Sequence, residues 1–157
     1  MELQFHSSVI FCNDLLKQRE FYETFLNQEI EIDLGSYLIF KSKFSLWQLN
    51  DDFLISRELG YSYEHIGNRN LQLCFETENF EDAIENVILS DFRILHNVEE
   101  EQWGQYTIRF YDPEGNLVEI GESMKCFVNR LHEAGMDDKE ISEKTGYNVK
   151  LVKELLT

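Results

Sequence analysis

The chain has 157 residues, 43% hydrophobic and 28% charged. That size and balance fit one domain, or two small modules sharing a core, and exclude disordered and collagen-like chains. Lysine and arginine number 14 against 30 aspartates and glutamates, a net charge of −16. Nucleic acid is therefore not expected as the main partner, and a neutral or cationic ligand is favoured.

The charge is uneven. Residues 123–157 balance their basic and acidic side chains, so residues 1–122 carry the whole excess. No apolar run approaches the roughly 20 residues of a membrane span. The opening Met1-Glu2-Leu3-Gln4 lacks the basic and apolar regions of a signal peptide. No membrane partner and a cytoplasmic location are expected. Cys12, Cys74 and Cys126 are scattered with no CxxC, which fits reduced, buried thiols.

Residues 3–12 are rich in β-branched and aromatic side chains and predict a strand. Asn13 or Asp14 then caps a helix to about Leu26, with Leu15, Phe21, Tyr22 and Phe25 at helical spacing. Three strands are predicted at 29–34, 36–41 and 44–49, turning at Gly35-Ser36 and Ser42-Lys43. Residues 50–69 read as a linker, with a helical turn near Phe53–Leu59.

The order then repeats. A strand at 70–76 precedes a helix at 80–90 with Phe80, Ala83, Ile84 and Val87 inward. Strands follow at 92–97, 105–111 and 116–121, the last two joined by the turn Asp112-Pro113-Glu114-Gly115. The predicted fold class is α+β: paired βαβββ modules, about 1–50 and 69–122, forming a curved mixed sheet around a pocket. Residues 123–157 add a helical tail, with helices at 123–134 and on either side of Thr145-Gly146. Its layout is similar to a small helix-turn-helix. Its neutral charge on an acidic body points to a dimer clasp, or a cover over the sheet or pocket mouth, rather than a DNA-binding element.

Two stretches carry a family resemblance. Val9 to Leu26 (VIFCNDLLKQREFYETFL) resembles the strand, Asp-Leu, Phe-Tyr pattern of the vicinal oxygen chelate superfamily: glyoxalase I, extradiol dioxygenases and bleomycin-resistance proteins. Phe110 to Ile120 (FYDPEGNLVEI) resembles that superfamily's closing Asp-Pro-x-Gly-Asn-x-x-Glu hairpin. The resemblance implies a homodimer and, in metal-using members, one divalent ion held from the first and last strands of both modules. It places Glu119 at the closing ligand, the catalytic residue of a metal enzyme. It places Ser7 at the first-strand position, Gln72 at the fifth-strand position and Gln48 or a neighbour at the fourth. A bulge in the first strand would bring in His6, so Glu119, Gln72 and His6 are the candidate metal ligands.

This is a poor cage for nickel, zinc or iron, which want imidazoles or further carboxylates. No cofactor is the preferred expectation, and a divalent metal the alternative. Strand parity turns Phe5, Val9 and Phe11 inward with Ser7, and adds Trp47 or Gln48, Cys74, Arg109 and Tyr111. These residues make an apolar, aromatic ligand site with a few polar groups. Arg109 either anchors an anionic group of a ligand or pairs with Glu119. His65 and His96 sit in or near loops, where exposure is expected.

Three functions are weighed. The first is a metal-free small-molecule-binding protein of the glyoxalase/bleomycin-resistance type. The second is a divalent-metal lyase, isomerase or dioxygenase acting on vicinal oxygens. The third is a regulatory or interaction module that uses the helical tail.

Overall fold

A computed structural model describes residue 6, residues 8–59 and residues 71–157. The predicted site residues Phe5 and Ser7, His65, and the second half of the linker lie outside the described residues. The element order matches the predicted repeat. The first module comprises β1 (Ser8–Cys12), α1 (Leu15–Arg19), β2 (Ile30–Asp33), β3 (Tyr37–Phe40) and β4 (Phe44–Gln48), with a short helix α2 (Leu54–Leu59) after it. The second comprises β5 (Gln72–Thr77), α3 (Phe80–Leu89), β6 (Ile94–Glu100), β7 (Tyr106–Tyr111) and β8 (Leu117–Glu122). The tail forms α4 (Met124–Glu133), α5 (Asp138–Thr145) and α6 (Val149–Leu155).

Each module makes a four-stranded mixed sheet, ordered β1-β4-β3-β2 in one and β5-β8-β7-β6 in the other. In both, the first and last strands pair in parallel across the helix connection and the other pairs are antiparallel. The chain divides into two compact units. One holds Met1–Asn68 with Asp112–Asn116, and the other holds Arg69–Tyr111 with Leu117–Thr157.

In the first unit, Asp14 caps α1 by accepting from the Lys17 N–H at 3.2 Å. The predicted α-helix changes pitch at Glu20 and runs as a π-helix from Glu20 to Phe25. Its wider turns bring sequence neighbours closer in angle, so Phe21 and Tyr22 are both buried. Tyr22 packs on Phe40 and Phe44, and with Ile10, Cys12, Leu38 and Leu46 these rings form the core beneath α1.

The Asp112–Asn116 turn completes this unit. The Gly115 N–H closes it on the Asp112 carbonyl at 3.0 Å, and Gly115 takes φ +87°. The Asp112 carboxylate accepts from Glu114 N–H, Asn116 N–H, Asn116 Nδ2 and the Tyr22 hydroxyl, all within 3.0 Å. The Glu114 carboxylate accepts from the N–H groups of Asn13 and Asp14, two donors at the start of α1 that no helical bond satisfies. Burial raises the Glu114 pKa, against those two bonds.

In the second unit, Val87, Ile108, Phe110, Val118 and Ile120 are buried. The tail packs its own cluster of Phe127, Val128, Leu131, Ile141 and Val152, closed by the Asp137–Glu140 capping box and by Gly146 at φ +75°. The tail also grips the sheet. Arg130 pairs with the buried Glu122 at 2.7 Å, donates to the Gly104 carbonyl at 2.6 Å and stacks over the Tyr106 ring.

Candidate functional site

Alternation along each strand sends one set of side chains to the core and the other to the opposite face. In the first sheet that opposite face is aromatic. Phe11 and Trp47 are cross-strand neighbours with ring centroids 5.9 Å apart. Tyr37, paired with Trp47 from β3, lies 5.6 Å from it, and Phe53 lies 5.3 Å from it beyond β4. All four rings are half-buried, and Val9 on the same face is 38% exposed.

Gln48 requires a correction. It shares parity with the buried Phe44 and Leu46, and its carboxamide oxygen accepts from the Leu15 N–H at 3.3 Å. It therefore supports the start of α1 and is absent from the aromatic face. One residue of register decides between Trp47 and Gln48.

The second sheet carries a polar row. Backbone pairing aligns Cys74, Glu119, Arg109 and His96 as successive partners across all four strands. The Arg109 guanidinium sits at the centre. Its Nε donates to the Gln72 Oε1 at 3.0 Å and its Nη1 to the His96 Nε2 at 3.0 Å. Its Nη2 pairs with Glu101 at 2.6 Å and with Glu119. Gln72 Nε2 in turn donates to the Glu119 Oε2 at 3.1 Å. Because His96 accepts at Nε2, the proton sits on Nδ1, which donates to the Asn97 carbonyl at 2.6 Å. His96, expected at the surface, is half-buried in β6.

Cys74 is open to solvent as a residue, yet its sulfur accepts from Gln72 and its thiol pKa is raised. Desolvation is the main cause, with the Glu119 carboxylate adding to it. It is not an activated nucleophile. Tyr111 lies under the Arg93 guanidinium, 3.8 Å from its ring centroid.

Residues 5–125 match the family model of the glyoxalase-like domain. The chain belongs to the glyoxalase-like family. Solved structures of the vicinal oxygen chelate superfamily share its fold. A protein of unknown function from Agrobacterium tumefaciens str. C58 is 29% identical with a TM-score of 0.69, covering 79% of this chain and 97% of its own. A glyoxalase/bleomycin resistance protein/dioxygenase family enzyme from Burkholderia phytofirmans PsJN is 15% identical with a TM-score of 0.64, covering 78% and 100%. A lactoylglutathione lyase from Agrobacterium tumefaciens is 19% identical with a TM-score of 0.55, covering 76% and 93%. The last two show the fold alone. No curated protein matches the chain.

The glyoxalase-like family raises the question of a divalent ion, and the residues present answer it poorly. Gln72 and Glu119 do come together, but both are already bonded to Arg109. An arginine stays charged at any working pH, so an ion bound to those oxygens would sit beside a fixed positive charge. His6 is exposed ahead of β1. Among the described residues no three His, Cys, Asp or Glu side chains are grouped to hold a metal. Among the described residues, the donors brought together do not fit a resident divalent ion.

Glu101, Tyr37 and Phe53 were not singled out from sequence, and His96 was expected only at the surface. Parity alone would have found Tyr37, opposite the apolar Leu38. Glu101 stands in the acidic run Glu99-Glu100-Glu101 and carries no local signal. A cavity of about 480 Å³ on the helix side of the second unit was also unforeseen. It is lined by Phe80, Ile84 and Tyr106, and by Cys126 and Arg130 from the tail.

Proposed function

We propose that the chain is a metal-free small-molecule-binding protein of the glyoxalase/bleomycin-resistance type. Its ligand is neutral or cationic with a flat apolar part, and it binds on the aromatic face of the first sheet. One observation carries this reading: Phe11, Tyr37 and Phe53 gather around Trp47 on the sheet face away from α1, half-buried rather than packed into the core. Edge-to-face rings of this kind hold flat groups, and their π faces attract cations. The net charge of −16 favours the same ligands. Family likeness adds a homodimer, which light scattering checks.

Trp47 is its own reporter. Tryptophan fluorescence is titrated with benzyltrimethylammonium, benzyl alcohol and benzoate, with and without chelator. The cation is expected to bind best, the anion worst, and chelator to change nothing. Trp103→Phe should keep the response. Trp47→Leu lacks the reporter and is titrated by calorimetry beside the native chain; it should bind about tenfold more weakly, since a desolvated cation–π contact contributes up to about 2 kcal/mol. Equal affinity in Trp47→Leu, or binding that chelator abolishes, overturns the proposal.

A further inference from the structure

We infer that the helical tail completes a second ligand site, a cavity in the second unit that takes a small organic amine. The cavity lies wholly within that unit, so it is separate from the aromatic face of the first sheet.

Its volume is about 480 Å³, and three walls enclose it. Phe80 and Ile84, one turn apart on α3, form the first. Val98 of β6 and Tyr106 of β7 form the second. Cys126 and Arg130, one turn apart on α4, form the third. All six residues are half-buried, packed neither into the core nor out into water. A concave volume of this size with mostly apolar walls suits a small molecule. The glyoxalase-like match ends at residue 125, so the α4 wall comes from outside it.

That wall is held in place by the protein itself. The Ser123 N–H donates to the Thr77 carbonyl at 2.9 Å, and the Ser123 hydroxyl oxygen accepts from the Cys126 N–H at 3.2 Å. The Cys126 thiol donates to the Glu78 carbonyl at 3.7 Å. One turn on, Arg130 holds Glu122 and lies 4.0 Å from the centroid of the Tyr106 ring. A ligand entering here does not have to order the wall first.

Charge selects the ligand. Four carboxylates line the cavity against one guanidinium. Glu122 and Arg130 neutralise each other. Glu78, Glu81 and Asp82 remain, all exposed, and no basic side chain among the described residues pairs with them. The start of α3 offsets only about half a charge. An ammonium group beside these carboxylates, with its hydrocarbon against Phe80, Ile84 and Val98, satisfies both parts of the lining. A carboxylate ligand would meet three like charges, and an alcohol would leave them unused.

The test titrates the full chain, labelled with nitrogen-15, with hexylammonium, hexanol and hexanoate at low ionic strength. Amide chemical shifts locate the binding. Hexylammonium should move Ile84, Val98, Tyr106 and Cys126 together along one saturable curve. Hexanol should bind there about tenfold more weakly, and hexanoate more weakly still. Glu78→Gln with Glu81→Gln and Asp82→Asn should bring hexylammonium down to the affinity of hexanol and leave hexanol unchanged. Ile84→Trp, which fills the cavity, should abolish all three responses; if it does not fold, the order of the probes and the charge variant still decide. Hexanoate binding as well as hexylammonium, an unchanged affinity in the charge variant, or no saturable shifts at this site overturns the inference. Shifts confined to the residues around Trp47 also overturn it, and leave the proposed function standing.

Discussion

Replacing Tyr22 with phenylalanine removes one oxygen from the centre of the first unit. The Tyr22 hydroxyl is fully buried and donates to the Asp112 Oδ2 at 2.9 Å. Burial, and then the Asp112 carboxylate beside it, hold the phenol well above its usual range, so it is a donor under all ordinary conditions. A hydrogen bond to a charged group contributes about 1.5–3 kcal/mol. Asp112 keeps three other donors, with Asn116 Nδ2 still on the same oxygen at 2.8 Å. The low end therefore applies, about 1.5–2 kcal/mol. For a chain of this length that lowers Tm by about 3–8 °C. Urea unfolding followed through Trp47 in a Trp103→Phe background reads the first unit alone, since Trp103 lies in the second. The midpoint should fall at constant m. Asp112→Ala completes a double-mutant cycle, with at least about 1 kcal/mol of coupling expected. A loss below about 0.5 kcal/mol, or coupling near zero, would refute the view that this turn is held by its buried carboxylate.

Two further outcomes follow from the same structure. Cys12 is fully buried, and burial, aided by the carboxylates of Glu114, Asp112 and Asp14, pushes its thiol from 9.0 to about 12. A raised pKa favours the fold while the thiol stays protonated, so this contribution is complete below about 9 and lost as pH rises through about 12. Alkylation of the native chain at pH 8, mapped by mass spectrometry, should spare Cys12 while Cys74 reacts, and stability should fall more shallowly above pH 9 in Cys12→Ala; native labelling of Cys12 contradicts both. Arg130→Met strands the Glu122 carboxylate, which is 6% exposed. Breaking a buried pair costs about 3–5 kcal/mol, and the partial exposure of Arg130 reduces this to about 2–3. Thermal melts should show that Arg130→Met with Glu122→Gln recovers most of the loss, whereas Lys150→Ala, at an exposed pair, changes almost nothing.

Local signals were enough for the order of elements. The spacing of Leu15, Phe21 and Tyr22 showed a helix with one buried side, and the Asp-Pro-Glu-Gly turn showed a hairpin. What needed distance could not be read. The change to π pitch at Glu20 answers the demand to bury two adjacent rings, which only the assembled core imposes. The misplacement of Gln48 came from a one-residue uncertainty in strand register, and in a period-two structure that is a change of face. His96 reads as in or near a loop, where exposure is the default; it stands in β6, whose pairing with β7 shifts on both sides of it, so alternation cannot be counted along that strand. Glu101 reaches Arg109 from beyond the end of β6, where no periodicity applies. The composition of the tail showed helices but not their contacts. The Glu122–Arg130 pair that fastens α4 spans eight residues and looks like ordinary surface charge until the strand end is seen to be buried.

The closing hairpin shows how a structural motif can dictate a site without contributing a residue to it. Asp112, Glu114 and Asn116 make their side-chain hydrogen bonds within the turn, to Tyr22 and to the start of α1. Yet the turn sets the register of the strands on either side. Closing it between Asp112 and Gly115 pairs Tyr111 with Leu117, and two residues further out that register puts Arg109 opposite Glu119. A slip of one residue would send the Glu119 side chain to the buried face with Val118 and Ile120, and would leave Arg109 facing an apolar neighbour. The spacing from Asp112 to Glu119 is thus a requirement of geometry, and it sets Glu119 against the Arg109 guanidinium. A chain can keep the hairpin motif intact while changing the chemistry of the row beside it. In this chain the row holds an arginine on β7 bonded to Gln72 and Glu119, and the hairpin alone does not reveal it.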